Sequence, residues 1–252
     1  MMEDTAKIYV VAHKDFDAPQ LDGYIPILAG AARNHAHISV KDNTGDEISS
    51  KNPQYCELTA QYWVWKNAIG TAADFGFVHY RRYFYLSHRK TAIVPAEQFV
   101  EDLKHVDAVL PEPWVFRTTV KEQFAQFHDI KDLQTTRTVL QERHSEYVKA
   151  FDEVMCSRSL SCYNMFVMSR SHFERYMTWL FDILEEVEHR TDTGQYDAYN
   201  QRLYGFLSER LLNVWVRAQK LRIKYYPVYK PDDSWIKESL KASVKKLVYS
   251  RR

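Results

Sequence analysis

Along the chain, short apolar runs alternate with longer segments whose apolar residues recur at helical spacing. Residues 7–12 (KIYVVA) form a continuous apolar run, which is typical of a strand buried at the centre of a parallel sheet. Similar runs predict further strands over residues 38–40, 75–80, 108–110, 162–168 and 223–228. The polar segment 13–26, which contains two prolines, is interpreted as a loop.

The segments between these runs predict helices. The helical spacing covers residues 58–67, 95–104, 120–127, 172–188 and 197–219. Residues 135–155 predict one or two helices, and Gly205 marks a candidate break in the last helix. Strands that alternate with helices predict an α/β fold with a mostly parallel sheet.

Composition narrows the class of protein. A chain of 252 residues fits one large domain, which can bury a core without disulfides or metal. The three cysteines (Cys56, Cys156 and Cys162) lack metal-ligand spacing and indicate reduced thiols. The first residues do not resemble a signal peptide, and no apolar stretch is long enough to span a bilayer. We therefore expect a cytoplasmic protein.

Charge and motif content exclude several functions. The net charge of +1 provides no overall field to attract nucleic acid, so we expect no nucleic-acid partner. The seven glycines form neither GxGxxG nor a P-loop, and no histidine pair has zinc-site spacing. Aromatic residues make up 14% of the chain, enough to stack on sugars or bases, although an aromatic-rich core is the alternative.

Polar residues follow the predicted strands, where ligands bind in open α/β sheets. His13 follows the first strand, and His79, Tyr80, Arg81 and Arg82 end the strand over 75–80. Two adjacent guanidinium groups can clamp a diphosphate, and aromatic rings can stack on a base or sugar. The alternative is an ordinary strand end, because strand alternation points Arg81 and Arg82 to opposite faces unless the chain bends.

Three further groups are candidate contacts. Asp42 and Asn43 lie in an acidic turn that can bind a uracil or ribose, or that is simply a solvated turn. Tyr163 and Asn164 enter a predicted strand, where the amide can bind a sugar hydroxyl or cap the loop.

The third group lies on the predicted helix over 197–219. Gln201, Ser208 and Glu209 are compatible with one side of this helix, and Asp197 lies one turn before Gln201. A carboxylate here can deprotonate an acceptor hydroxyl. The alternative is a helix in which Glu209 and Arg210 make structural ion pairs.

Five motifs in order carry a resemblance to a known family. The series AHK, DNTGDEISSKNPQYCELTAQYWVWKN, GFVHYRRYF, YNMFVM and YGFLSERLLNVW resembles a family of bacterial capsular and exopolysaccharide glycosyltransferases, whose domain was long described as one of unknown function. The resemblance spans roughly residues 8–228. It implies a GT-A-like, Rossmann-type α/β/α sandwich, a UDP-sugar donor, transfer of galactofuranose or galactose, and a polysaccharide or lipid-linked glycan acceptor.

The resemblance also distributes roles over the candidates. It implies donor contacts from His13, Asp42, Asn43 and the run His79, Tyr80, Arg81 and Arg82. It implies acceptor contacts from Tyr163, Asn164, Gln201 and Ser208, with Glu209 or Asp197 as the base of an inverting reaction. We expect the arginines to neutralise the leaving diphosphate.

The sequence leaves open whether the protein uses a divalent metal ion. Many GT-A enzymes hold Mg²⁺ or Mn²⁺ through an Asp-x-Asp after a central strand, but His79–Arg82 occupies that position here. The Asp15-Phe16-Asp17 sequence lies in the first loop instead, so no metal ligand is assigned. The departure keeps one alternative, a non-catalytic nucleotide- or partner-binding member of a polysaccharide assembly complex. A weaker alternative is a nucleotide-sugar hydrolase or phosphorylase that uses the same arginines.

The C-terminal segment differs from the rest of the chain. We divide the chain into a transferase domain over residues 1–233 and a basic amphipathic helix over 234–252. The apolar residues of the segment 234–252 recur at helical spacing: Ile236, Leu240, Val244 and Leu247. Such a helix suits the inner leaflet of the plasma membrane, and a helix packed on the domain is the alternative. The sequence does not determine the oligomeric state.

Overall fold

A computed structural model describes residues 5–89 and 92–231 of the chain. The boundary expected at residue 233 and the basic helix expected over 234–252 lie outside the described residues.

The described residues contain alternating strands and helices. The strands are β1 (Ala6–Ala12), β2 (Tyr24–Leu28), β3 (Val40–Lys41), β4 (Asp74–His79), β5 (Tyr83–Phe84), β6 (Ala108–Pro111), β7 (Trp114–Val115), β8 (Ser159–Leu160), β9 (Phe166–Ser169), β10 (Ile223–Tyr226) and β11 (Val228–Tyr229). The α-helices are α1 (Asn52–Tyr55), α2 (Leu58–Asn67), α3 (Ala96–Leu103), α4 (Val120–Ala125), α5 (Ile130–Arg143), α6 (Val148–Cys156), α7 (Arg170–Arg190) and α8 (Leu203–Ala218).

One sheet organises the fold. Seven strands of the described part pair in the order β10-β6-β9-β4-β1-β2-β3. Every pairing in this sheet is parallel except those of β9, which runs antiparallel to both β4 and β6. The predicted α/β fold with a mostly parallel sheet is therefore confirmed.

Apolar side chains on both faces of the sheet build two cores. On β1, Tyr9 and Val11 pack into a large cluster with α2 and the helices α4 to α8. Ile8 and Val10 point the other way, into a smaller cluster with α3 and β5. Because both faces are covered, β1 is apolar at every position from Ile8 to Ala12 rather than at alternate ones.

Strand β2 was missed because it looks like a loop in sequence. It lies within and just after the segment assigned to a polar loop, and it contains Pro26. The amide of Ala29 donates to Ala12 O on the β1 side, so alternation turns the nitrogen of Pro26 towards β3. Since β3 pairs only with Ile27 and Leu28, the missing N–H of Pro26 breaks no hydrogen bond of the sheet.

The strand predicted over 162–168 begins only at Phe166. Tyr163 and Asn164 have φ values of 81° and 51°, which no strand accommodates. The helix predicted from Asp197 begins at Leu203. Gly205 does not break this helix but permits a close approach, since a Cβ there would lie 3.2 Å from Cys56 Sγ.

The loop after β2 is held by a buried carboxylate. Asp42 is fully buried and accepts hydrogen bonds from Gly30 N at 2.8 Å and Ala31 N at 2.9 Å. Ser49 Oγ donates to the same carboxylate. Asp42 therefore ties the ends of β2 and β3 to the segment that leads into α1.

The centre of the sheet gives a test of the packing. A Cβ on Gly76 in β4 would lie 2.6 Å from Ile8 Cδ1 and 2.9 Å from Val167 Cγ2. We expect Gly76→Ala to lower the free energy of unfolding by about 1–3 kcal/mol through overpacking. Gly70→Ala is the matched control, because no atom lies within 4 Å of its Cβ position. Denaturant unfolding measures both, and equal stabilities of the two variants would contradict this packing.

Candidate functional site

The candidate residues gather at one edge of the sheet. The parallel strands β1, β4 and β6 end at this edge, and β9 begins there because it runs the opposite way. His13 follows β1, His79 ends β4, and Tyr163 lies just before β9. The first half of α8 brings Glu209 to the same place, where its carboxylate meets the backbone of Tyr163.

A tight turn presents the two arginines. His79 N donates to Arg82 O at 3.2 Å, and Arg82 N donates to His79 O at 3.0 Å. The bend removes the strand alternation that would point the two side chains to opposite faces. The guanidinium of Arg82 lies 4.6 Å from the centre of the Tyr163 ring, and that of Arg81 lies 5.6 Å from the Tyr80 ring.

Further basic side chains surround Tyr80. Its ring meets His13 edge-on at 5.1 Å, and Lys14 Nζ lies 5.5 Å from its centre. Burial lowers the pKa of His13, and the positive charges of Arg81, Lys14 and Arg202 lower it further. These residues therefore form one electropositive group, which favours an anionic ligand.

Glu209 is the partly buried acid of the site. Its Oε1 accepts a hydrogen bond from Tyr163 N at 2.7 Å, and its side chain is 20% exposed. Burial raises the pKa of Glu209, although Arg210, 3.5 Å away, favours the charged form. Glu57 repels the carboxylate and raises the pKa further.

Asp197 is placed differently from Glu209. It lies in an exposed turn before α8, where its carboxylate accepts from Tyr199 N at 2.9 Å and Asn200 N at 2.8 Å. These hydrogen bonds lower the pKa of Asp197. The expectation that Asp197 begins the helix is wrong, and a carboxylate held in this way is a poor proton acceptor.

Two predicted acceptor residues are buried. Asn164 Nδ2 donates to Glu57 Oε1 at 2.7 Å and to Gly205 O at 3.0 Å, and Asn164 Oδ1 lies 2.9 Å from Ser208 Oγ. Both Asn164 and Ser208 are at most 2% exposed. They hold the site together from behind its surface.

The remaining predicted residues lie around the site. Gln201 is half-buried and donates to Tyr196 O at 3.1 Å. Asn43 is exposed next to the buried Asp42. The carboxylate of Asp42 is occupied by backbone and hydroxyl donors, so it shapes the neighbouring loop. A donor contact from Asn43 stays a prediction.

Three residues of the site were not predicted from the sequence: Cys56, Glu57 and Arg202. Arg202 Nε donates to Cys56 Sγ at 3.3 Å, and Glu57 accepts a hydrogen bond from Asn164. Burial raises the pKa of Cys56 to about 12, so the thiol stays neutral and does not cancel the charge of Arg202. An acid at a helix start is common, so Glu57 gave no functional signal.

Backbone strain concentrates at this edge. Among the described residues, four non-glycine residues have positive φ: Cys56, Tyr163, Asn164 and Lys220. The first three belong to the site. Such conformations cost about 1–3 kcal/mol each and persist where the surrounding structure enforces them, often at functional sites.

Neither a cluster of metal ligands nor a membrane-spanning helix occurs among the described residues. Within residues 5–89 and 92–231, no three His, Cys, Asp or Glu residues are arranged to hold a metal ion. Asp15, in the Asp-x-Asp of the first loop, accepts a hydrogen bond from His37 N at 2.6 Å. In the same described part, no helix has the length and apolarity needed to cross a membrane.

Comparison with known proteins identifies the family. The model of a domain of unknown function, DUF4422, matches residues 7–220. The chain belongs to this family. All five ordered motifs lie within residues 7–220, and the resemblance that they carry is confirmed. No curated protein matches the chain.

A solved structure matches the DUF4422 fold. The apo structure of WbbM, a bifunctional glycosyltransferase, has a TM-score of 0.81 and 28% sequence identity to this chain. The match covers 91% of this chain but 46% of WbbM, so the chain spans about half the length of that protein. The expected GT-A-like, Rossmann-type fold is confirmed.

The pKa values of Glu209 and Asp197 should be shifted in opposite directions. We expect the carboxyl of Glu209 to have a pKa above the usual range for glutamate, because burial disfavours its charge. We expect Asp197 to lie below the usual range for aspartate, because two amides bind its charged form. Carboxyl ¹³C NMR, assigned with Glu209→Gln and Asp197→Asn, measures both. A normal or lowered pKa for Glu209 would contradict the description of the site.

Proposed function

We propose that this protein is a glycosyltransferase that moves a sugar from a UDP-sugar to a growing glycan in bacterial polysaccharide synthesis. The observation that carries the proposal is the arginine turn at the end of β4, which lies beside Tyr163 and the partly buried Glu209. The similarity to WbbM, described as a glycosyltransferase, supports the same reaction class.

The arginines suit a diphosphate. Arg81 and Arg82 follow the end of a parallel strand, where open α/β sheets bind nucleotides. Guanidinium groups stay charged and bind phosphate oxygens with paired N–H donors. Together with Lys14 and Arg202, they stabilise the negative charge that develops on the leaving UDP. A divalent metal remains an additional candidate, to be tested by assays with and without Mn²⁺.

Glu209 suits the proton transfer of an inverting reaction. Its carboxylate takes the proton of an acceptor hydroxyl while the hydroxyl oxygen forms a bond to C1 of the sugar. The bond between C1 and the phosphate oxygen breaks, and UDP leaves with that electron pair. A pKa raised by burial makes the carboxylate a better proton acceptor near neutral pH.

The finer assignment rests on the resemblance of the sequence. We propose galactofuranose or galactose as the sugar, and a polysaccharide or lipid-linked glycan as the acceptor. The basic segment 234–252 would then hold a cytoplasmic enzyme against the inner leaflet. The Asp-x-Asp that is missing after β4 favours one competitor, a non-catalytic nucleotide-binding member of an assembly complex.

Removing either arginine should abolish transfer. We expect Arg81→Ala and Arg82→Ala to lower kcat/KM by about 100- to 1,000-fold, because each removes charge stabilisation of the leaving diphosphate. Radiolabelled UDP-galactose and UDP-galactofuranose, with and without a glycan acceptor, measure transfer and hydrolysis separately. Arg217→Ala is the matched control, since this half-exposed arginine of α8 pairs with Glu153. Full activity in both variants would contradict the clamp, and wild-type binding without turnover would favour the competitor.

Replacing Glu209 should slow the transfer step rather than weaken the binding of UDP. We expect Glu209→Gln to lower kcat by roughly 100- to 10,000-fold with little change in the Kd of UDP, because the amide keeps the acceptor for Tyr163 N but cannot take a proton. Asp197→Asn should retain activity, and it serves as the comparison. Steady-state assays at saturating substrate measure kcat, and the opposite ranking of the two variants would make Asp197 the base.

A further inference from the structure

Glu57 is an acidic residue whose side chain does not cap the helix that it precedes. It is the N-cap residue of α2, yet its carboxylate makes no hydrogen bond to the first turn of that helix. Its Oε1 instead accepts from Asn164 Nδ2 at 2.7 Å. The carboxylate is therefore directed to the sheet edge that carries the candidate site.

The two strained residues before β9 hold both acids. Tyr163 N binds Glu209 Oε1 at 2.7 Å, and Asn164 Nδ2 binds Glu57 Oε1 at the same distance. His79 Nε2 lies 2.7 Å from Tyr163 O and fixes the turn to the end of β4. One backbone turn thus sets the positions of Glu57 and Glu209 relative to the arginines.

Glu57 lies close to both the cations and the proposed base. It follows Cys56, whose sulfur binds Arg202. Its charge acts on His79, on Arg202 and on Glu209. During transfer, C1 of the sugar lies between the leaving phosphate and the attacking hydroxyl, so a group close to both the cations and Glu209 lies near the sugar.

We propose that Glu57 binds a hydroxyl group of the transferred sugar and that Asn164 positions its carboxylate. This proposal rests on the proposed function of the same site. Carboxylates accept strong hydrogen bonds from hydroxyl donors, and one oxygen of Glu57 is already fixed by the amide of Asn164. A site built to bind a hydroxyl discriminates strongly against an analogue that lacks it.

Asn164 is suited to positioning. Ser208 Oγ lies 2.9 Å from Asn164 Oδ1, which leaves the amide nitrogen to face Gly205 O and Glu57. Gln61 Nε2 donates to the carbonyl of Asn164 at 2.9 Å, so the backbone is held as well. Because Asn164 is 2% exposed, it acts through Glu57 and does not itself touch substrate.

The experiment compares ligands with and without the sugar. Isothermal titration of the full chain measures the Kd of UDP, UDP-galactose and UDP-galactofuranose. We expect Glu57→Gln to leave the Kd of UDP within about twofold and to weaken the sugar nucleotide that binds best by roughly 10- to 100-fold, the usual effect of losing a hydrogen bond to a charged group. The matched control is Glu146→Gln, an exposed acid between α5 and α6.

The possible results separate the two proposals. Wild-type protein that binds none of the three ligands contradicts the proposed function, and the role of Glu57 with it. Sugar-nucleotide binding that is unchanged in Glu57→Gln, or that weakens only as much as UDP binding, overturns the role of Glu57 alone.

A second variant tests the positioning role. Asn164→Gly removes the amide while glycine tolerates the φ of 51°. We expect the same selective loss of sugar-nucleotide affinity, with the double variant Glu57→Gln/Asn164→Gly no weaker than either single variant. Additive losses, or equal losses for UDP and sugar nucleotides, would assign Asn164 a merely structural role.

Discussion

The reversed direction of β9 is the constraint on which the site depends. In a purely parallel sheet, the residues that precede a strand lie at the edge opposite to the residues that follow its neighbours. Because β9 runs against β4 and β6, Tyr163 and Asn164 lie instead at the edge where β4 ends. That reversal alone allows the backbone before β9 to meet the arginine turn after β4.

The site then combines two opposite electrostatic environments within one turn of chain. The ring of Tyr163 lies beneath the guanidinium of Arg82, and the amide of the same residue binds Glu209. Cations near the surface suit an anionic leaving group, and an acid shielded from water suits proton transfer. The free-energy cost of positive φ at Tyr163 and Asn164 is offset by the hydrogen bonds and packing that this conformation permits.

The fold was largely predictable from sequence, and the site only in part. Helix α2 and strand β4 follow from their apolar patterns, and the ordered motifs led to the family that the DUF4422 match confirms. Strand β2 was not predicted because it contains Pro26. The missing N–H of a proline weakens a strand only where a partner strand would accept a hydrogen bond from it. The turn at Tyr163 and Asn164 was hidden within an apolar run, because left-handed backbone depends on long-range contacts such as that with Glu209.

We propose that the arginine turn and Glu209 face one common ligand. A crystal structure of the protein with bound UDP tests this arrangement. We predict that oxygens of the diphosphate lie within hydrogen-bonding distance of the guanidinium groups of Arg81 and Arg82, with the terminal phosphate directed towards Glu209. UDP bound at another edge of the sheet, with both arginines free of phosphate, would contradict it.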